Sequence, residues 1–143
     1  MVSAMSVTSE SIRVSTKGDC DVVDITDQVT AIVNRSGLDS GIATVFVVGS
    51  TAGITTIEYE PGLVHDIKEA FERIAPQSVN YQHHERWGDD NGHAHIRSSL
   101  LGTSIAVPFT GKSLVLGTWQ QIVLIDFDTR KRQRDVIVQL IGA

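Results

Sequence analysis

All five histidines fall between residues 65 and 95, and four of them lie in the thirteen residues from His83 to His95. Imidazole is the commonest ligand for borderline metals and the usual proton carrier near neutral pH. The segment YQHHERWGDDNGHAHIR at 81–97 therefore reads as a metal centre, an acid–base site, or a polar surface loop that happens to carry histidine. Backbone geometry limits which of them can converge. On a strand, His83 and His84 point to opposite faces while His93 and His95 share one; on a helix, His93 and His95 stand roughly 200° apart. At most three of the four could reach one ion. No HExxH or CxxC is present and Cys20 is the single cysteine, which argues against a closed structural zinc site.

A second segment, GSTAGITTIE at 49–58, places Gly, Ser and Thr side by side ahead of an acid. Ser50, Thr51 and Gly53 could present hydroxyls and amides to an anion, or simply form a tight turn into a strand. Glu58, in an otherwise apolar and β-branched run, must face solvent or be paired. Gln120 beside Trp119 sits at a strand junction, where it serves either a site or a structural hydrogen bond. Asp89, Asp90 and Asn91 have the composition of a turn.

The elements that must carry these residues follow from periodicity. Thr26 opens a short helix with Val29, Ile32 and Val33 at helical spacing and Gly37 as a stop. Pro61 stands at a first helical position, and Leu63, Val64, Ile67, Ala70, Phe71 and Ile74 trace a stripe that must end before Pro76. Strands are expected near 9–14 and over 43–48, 54–59, 103–109, 113–119, 121–127 and 135–141, with 43–48 and 121–127 apolar on both faces. The class is α+β. We expect a β-rich sheet or sandwich core with two or three helices packed on one side, in one domain over 1–143 with a loose segment over about 1–8. Strands needing burial twice over predict further cover from other subunits.

Composition narrows the function. With 143 residues and 41% hydrophobic side chains, a full core is available without staples. The formal charge of −5 disfavours nucleic acid, which needs a clustered cationic face. The one basic cluster, Arg130, Lys131, Arg132 and Arg134, sits where a turn between strands is expected, solvated or paired with a neighbouring subunit. No run is long and apolar enough to span a bilayer, so no membrane partner is expected. A lone cysteine and a first segment without a secretory pattern fit the cytoplasm.

The segments STAGITTIE, ERIAP, Tyr81-Gln82-His83, NGHAHIRSSLLG, VPF, GKSLVLGTWQQIVL and VIVQLIG, in that order, resemble the YjbQ-like family over roughly residues 10–143. The resemblance implies a compact homotrimer of an α+β subunit and the family label of secondary thiamine-phosphate synthase. It also implies a polar site of His83, Asn91, His93 and His95, with Glu58 and Gln120 nearby and a metal ion among the histidines. The chain departs from the commoner pattern H-T-T-A-G-L-T-I-N-E, carrying Gly49 for the His and Ile57 for the Asn.

Under that label, hydroxymethylpyrimidine diphosphate joins a thiazole phosphate and diphosphate departs, a step that needs cationic and hydrogen-bonding groups on the departing oxygens. Glu58, His83, His95 and Gln120 are the candidate catalytic residues. Ser50, Thr51, Gly53, Asn91 and Arg97 are the candidate ligand-binding set, with Arg86 a further cation. His83, His93 and His95 are the candidate ligands of a divalent metal, zinc rather than magnesium because imidazole suits the borderline ion. The alternatives are a zinc-dependent hydrolase of a small phosphate ester, with Glu58 as base, and a non-catalytic trimer that holds a metal or anion. The expected partners are further copies of the chain in a homotrimer and a small anionic or phosphorylated molecule.

Overall fold

Alternation of side chains along the first strand sets the architecture. In the computed structural model, which describes residues 4–143, β1 (Ser6–Thr16) buries Ile12, Val14 and Thr16 and exposes the residues between them. It pairs antiparallel with β8 (Arg132–Gly142) from Ser6↔Gly142 to Thr16↔Arg132. The expectation of a loose segment through residue 8 is therefore corrected: the ladder with β8 orders the chain from Ser6. Residues 1–3 lie outside the described residues.

β3 (Gly41–Val47) joins the other side of β8 and also pairs with β5 (Ser104–Thr110), which pairs with the short β6 (Ser113–Leu114). These strands form one sheet in the order β1-β8-β3-β5-β6. A second sheet sets β7 (Gln121–Asp126) between β2 (Asp21–Asp24) and β4 (Ala52–Ile57), and every pairing in both sheets is antiparallel. The inner face of the first sheet packs on Ile54, Ile122 and Leu124 of the second and on Val29, Ile32 and Val33 of α1 (Thr26–Arg35). The far face of β7, carrying Val123 and Ile125, is covered by α2 (Pro61–Ile74) and α4 (Gly92–Leu101). Alternate residues of β7 thus feed two cores, as its continuous apolar run predicts.

In β3, Ala43, Val45 and Val47 are buried while Ile42, Thr44 and Phe46 face outward, so within the subunit only one face is covered. Two further expectations are corrected. The first is the strand over 113–119, which stops at Leu114; a reciprocal pair of bonds between Gly117 and Gln120 folds residues 117–120 into a turn. The second is the helix number. Four helices form rather than two or three, because the histidine-rich segment supplies α3 (Gln82–Trp87), closed by Gly88 at φ 66°, and then α4. No helix among the described residues is long and apolar enough to cross a membrane.

Candidate functional site

The end of β7 delivers the site's carboxylates. Residues two apart on an extended chain share a face, so Asp126 and Asp128 turn together toward β8 while Phe127 turns the other way and packs against Phe71, with ring centroids 4.7 Å apart and planes tilted by 60°. Both acids are fully buried. The Arg134 guanidinium, on β8, donates to both oxygens of Asp126 at 2.7 and 2.8 Å and to Thr51 Oγ1 at 2.6 Å. Thr16 donates to Asp126 at 2.6 Å. Hydrogen bonding to Asp126 holds the Arg134 guanidinium still more firmly protonated. This pair closes the floor.

Asp128 is the hub above that floor. It accepts from Thr51 Oγ1 at 3.0 Å, Arg132 Nε at 3.2 Å, the Thr129 amide at 2.8 Å and Asn91 Nδ2 at 3.4 Å. Burial alone would raise its pKa. The Thr129 and Thr51 bonds, the Arg132 charge and the Asn91 bond outweigh burial and hold the carboxyl below the usual carboxylate range. Asn91 extends the chain of bonds, since its Oδ1 lies 3.2 Å from His83 Nε2. Asp89 Oδ2 stands 3.7 Å from the same nitrogen.

His83 and His95 meet, with ring centroids 4.6 Å apart and planes at 56°. Burial pushes the His95 imidazole below its ordinary value and the neighbouring His83 pushes it further, against the opposing pull of Asp128, Asp89 and the Ser50 backbone. His95 is therefore a neutral imidazole near pH 7. His84 turns elsewhere, its Nε2 accepting the Gly92 amide at 2.8 Å.

The helical backbone of α4 separates the expected ligands. His93 lies on the opposite face from His95, 1% exposed, with Nδ1 lacking a partner among the described residues and its pKa lowered first by burial and then by the Arg97 charge. The set His83, His93 and His95 does not fit one ion, and no three His, Cys, Asp or Glu among the described residues converge to hold one. Arg97 is also reassigned. It is buried, donating to the Ala75 carbonyl at 3.0 Å and to Glu72 at 2.7 Å, so it ties α4 to the end of α2 and offers no free cation.

Gly53 is a close-approach residue. A Cβ there would meet Leu101 Cδ2 at 2.6 Å and the Gly102 carbonyl at 2.7 Å, so its missing side chain lets α4 lie against β4. Ser50 stays exposed and meets His95 through its backbone, and Thr51 spends its hydroxyl on Asp128 and Arg134. Glu58 and Gln120 do not join the cluster. Ala52 pairs with Asp126 at one end of the β4–β7 ladder and Ile57 with Gln121 at the other, which places both residues at the far end. There Glu58 is exposed and Gln120 bonds Thr56 and the Gly117 amide. Arg86 sits over the Trp87 ring at 5.3 Å. Cys20 is no nucleophile, since burial pushes its thiol up to about 11.

A model of the family described as UPF0047 protein YjbQ-like matches residues 10–143. The chain belongs to this YjbQ-like family. Among UPF0047 relatives, one from Archaeoglobus fulgidus is 35% identical over 120 residues, spanning 84% of this chain and 91% of its own. The UPF0047 protein YugU of Bacillus subtilis is 31% identical over 134 residues, 93% of this chain and 98% of its own. A crystal structure from Sulfolobus solfataricus P2, of a YbjQ-like protein of unknown function, superposes with a TM-score of 0.93 at 38% identity, covering 98% of this chain and all of that one.

Asp89, Asp126, Asp128, Arg132 and Arg134 escaped the sequence reading of the YjbQ-like site. The signal was present in QIVLIDFD. An acid at the inward phase of a strand buried on both faces requires a buried cation, and Arg134 is the inward-facing cation of the next strand along the chain, in the facing sheet.

Proposed function

We propose that the chain is an enzyme that moves a proton on a small anionic or phosphorylated molecule, with His95 as base and His83 as its partner. The approach of the two rings to 4.6 Å carries this reading. A neutral His95 has a lone pair to accept a proton near pH 7, and His83, hydrogen-bonded to Asn91 with Asp89 behind it, is positioned to return one. The finer reading is a transferase of the thiamine-phosphate synthase type, joining a pyrimidine diphosphate to a thiazole phosphate with release of diphosphate. What supports it is the family resemblance together with a cationic edge at Lys131 and Arg132. The assay is turnover with those two substrates and with a panel of phosphate esters. His95→Ala should lower the rate by about 10²–10⁴-fold. Absence of turnover by the parent on every substrate would favour a binding protein instead.

A divalent ion on His83 and His95, zinc rather than magnesium, is the second reading, favoured by the proximity of two imidazoles. Metal analysis after zinc loading tests it: one equivalent lost on double substitution by Ala supports it, and none in the parent rejects it.

The chain is further proposed to assemble as a homotrimer. Val7, Ile141, Ile42 and Pro108 stand in register across four strands on the outward face of the larger sheet, and Val7, Ile42 and Ile141 are exposed. Sedimentation should report three times the subunit mass, with Ile42→Glu shifting the protein to a monomer; a monomeric parent at micromolar concentration contradicts this. The lone, unpaired Cys20 supports a cytoplasmic location.

A further inference from the structure

Beyond the histidine pair, the end of the β1–β8 ladder opens into a cavity of about 300 Å³ lined by Ser15, Thr16, Lys131, Arg132 and Gln133. That volume lies at the lower bound for small-molecule pockets. Its walls carry two cations. The acids beneath it, Asp126 and Asp128, are already engaged by Arg134, Thr16, Thr51 and Asn91. Lys131 has no ion pair among the described residues, and Ser15 and Gln133 have no side-chain hydrogen bond among them. The cavity therefore presents positive charge and open donors although the whole chain stands at −5.

Arg132 joins this cavity to the histidines. It lines the wall, 41% exposed, while holding Asp128 Oδ2 at 3.0 Å, and Asp128 continues through Asn91 to His83. A guanidinium spends two donors on a carboxylate and keeps the rest of its fork for a second anion.

We propose that this cavity is the phosphate subsite of the protein, gripping the phosphoryl group of a small phosphorylated molecule between Lys131 and Arg132 and directing the rest of the molecule toward His83 and His95. The inference rests on the acid–base reading for the direction in which the substrate extends, but the phosphate grip stands on the cavity alone. It moves the anion-binding role away from Arg97, which is buried and held by Ala75 and Glu72.

The probes are inorganic phosphate and diphosphate, titrated calorimetrically into the parent, Lys131→Ala, Arg132→Gln and the double His83→Ala/His95→Ala variant. Diphosphate should bind the parent with an affinity that falls as salt rises. Lys131→Ala and Arg132→Gln should each weaken it about tenfold or more, and the histidine double variant should bind within about twofold of the parent. Lys131 is exposed, so its substitution leaves the fold intact and keeps the test decisive if Arg132→Gln unfolds. The proposal is overturned if the parent binds neither probe, if the two cation variants bind as the parent does, or if the histidine variant alone loses binding. Failure of the acid–base reading would show separately, as unchanged turnover after His95→Ala with phosphate binding intact.

Discussion

Replacing Arg134 by Met isolates the electrostatic demand of the site's floor. The arginine stem and methionine are similar in volume, so the change leaves little cavity and removes three charge-assisted donors. Asp126, fully buried, would keep only the Thr16 hydroxyl and the Asp128 amide as donors. An uncompensated buried charge of this kind costs about 3–5 kcal/mol, against a total of about 5–15 kcal/mol for a domain. With a urea dependence of about 2 kcal/mol per molar, the unfolding midpoint should fall by about 2 M. Adding Asp126→Asn removes the orphaned charge and should restore half or more of the loss. A single-variant loss below about 1 kcal/mol would refute the reasoning. So would a double variant no more stable than Arg134→Met.

Other perturbations follow from the same geometry. Arg97→Ala should lower stability by about 1–3 kcal/mol in urea unfolding, because it strands the buried Ala75 carbonyl, while diphosphate affinity stays unchanged. Gly53→Ala should lower the thermal midpoint by several degrees, about 2–4 °C per kcal/mol, since Leu101 can yield to the new Cβ but the Gly102 carbonyl cannot. Stability should also fall as pH drops below about 6.5. There the unfolded chain protonates a His93 that burial keeps neutral in the folded state, costing up to about 1.4 kcal/mol per pH unit until the folded value is reached. His93→Leu should flatten that slope, leaving the smaller share contributed by His95.

The pieces legible from sequence were those whose signal is local. Pro61 and the stripe through Phe71 fix α2, and the unbroken apolar run of 121–127 fixes a strand between two cores. The region around α4 was hidden for a physical reason. Its buried face consists of Gly92, His93, Ala94, Arg97 and Ser98, which carry no apolar stripe, and the helix forms there because Gly53 admits it and Arg97 and Ser98 tie it down. The same gap extends into the site, where strand and helix both stayed open for 93–95. The placement of His93 depended on the backbone of 93–95, and helix rather than strand sends it to the far side. The carboxylate floor was missed because Asp126 and Arg134 belong to different strands, and only the register of two sheets brings them together.

If His83 and His95 act as one pair, an NMR titration of the imidazole signals shows it. In the parent, His95 should titrate below the ordinary histidine value, and His83→Ala should move it upward by removing the neighbouring charge while burial still holds it down. A His95 that titrates at or above the ordinary value in the parent, or that is unmoved by His83→Ala, would contradict the pairing on which the proposed chemistry stands.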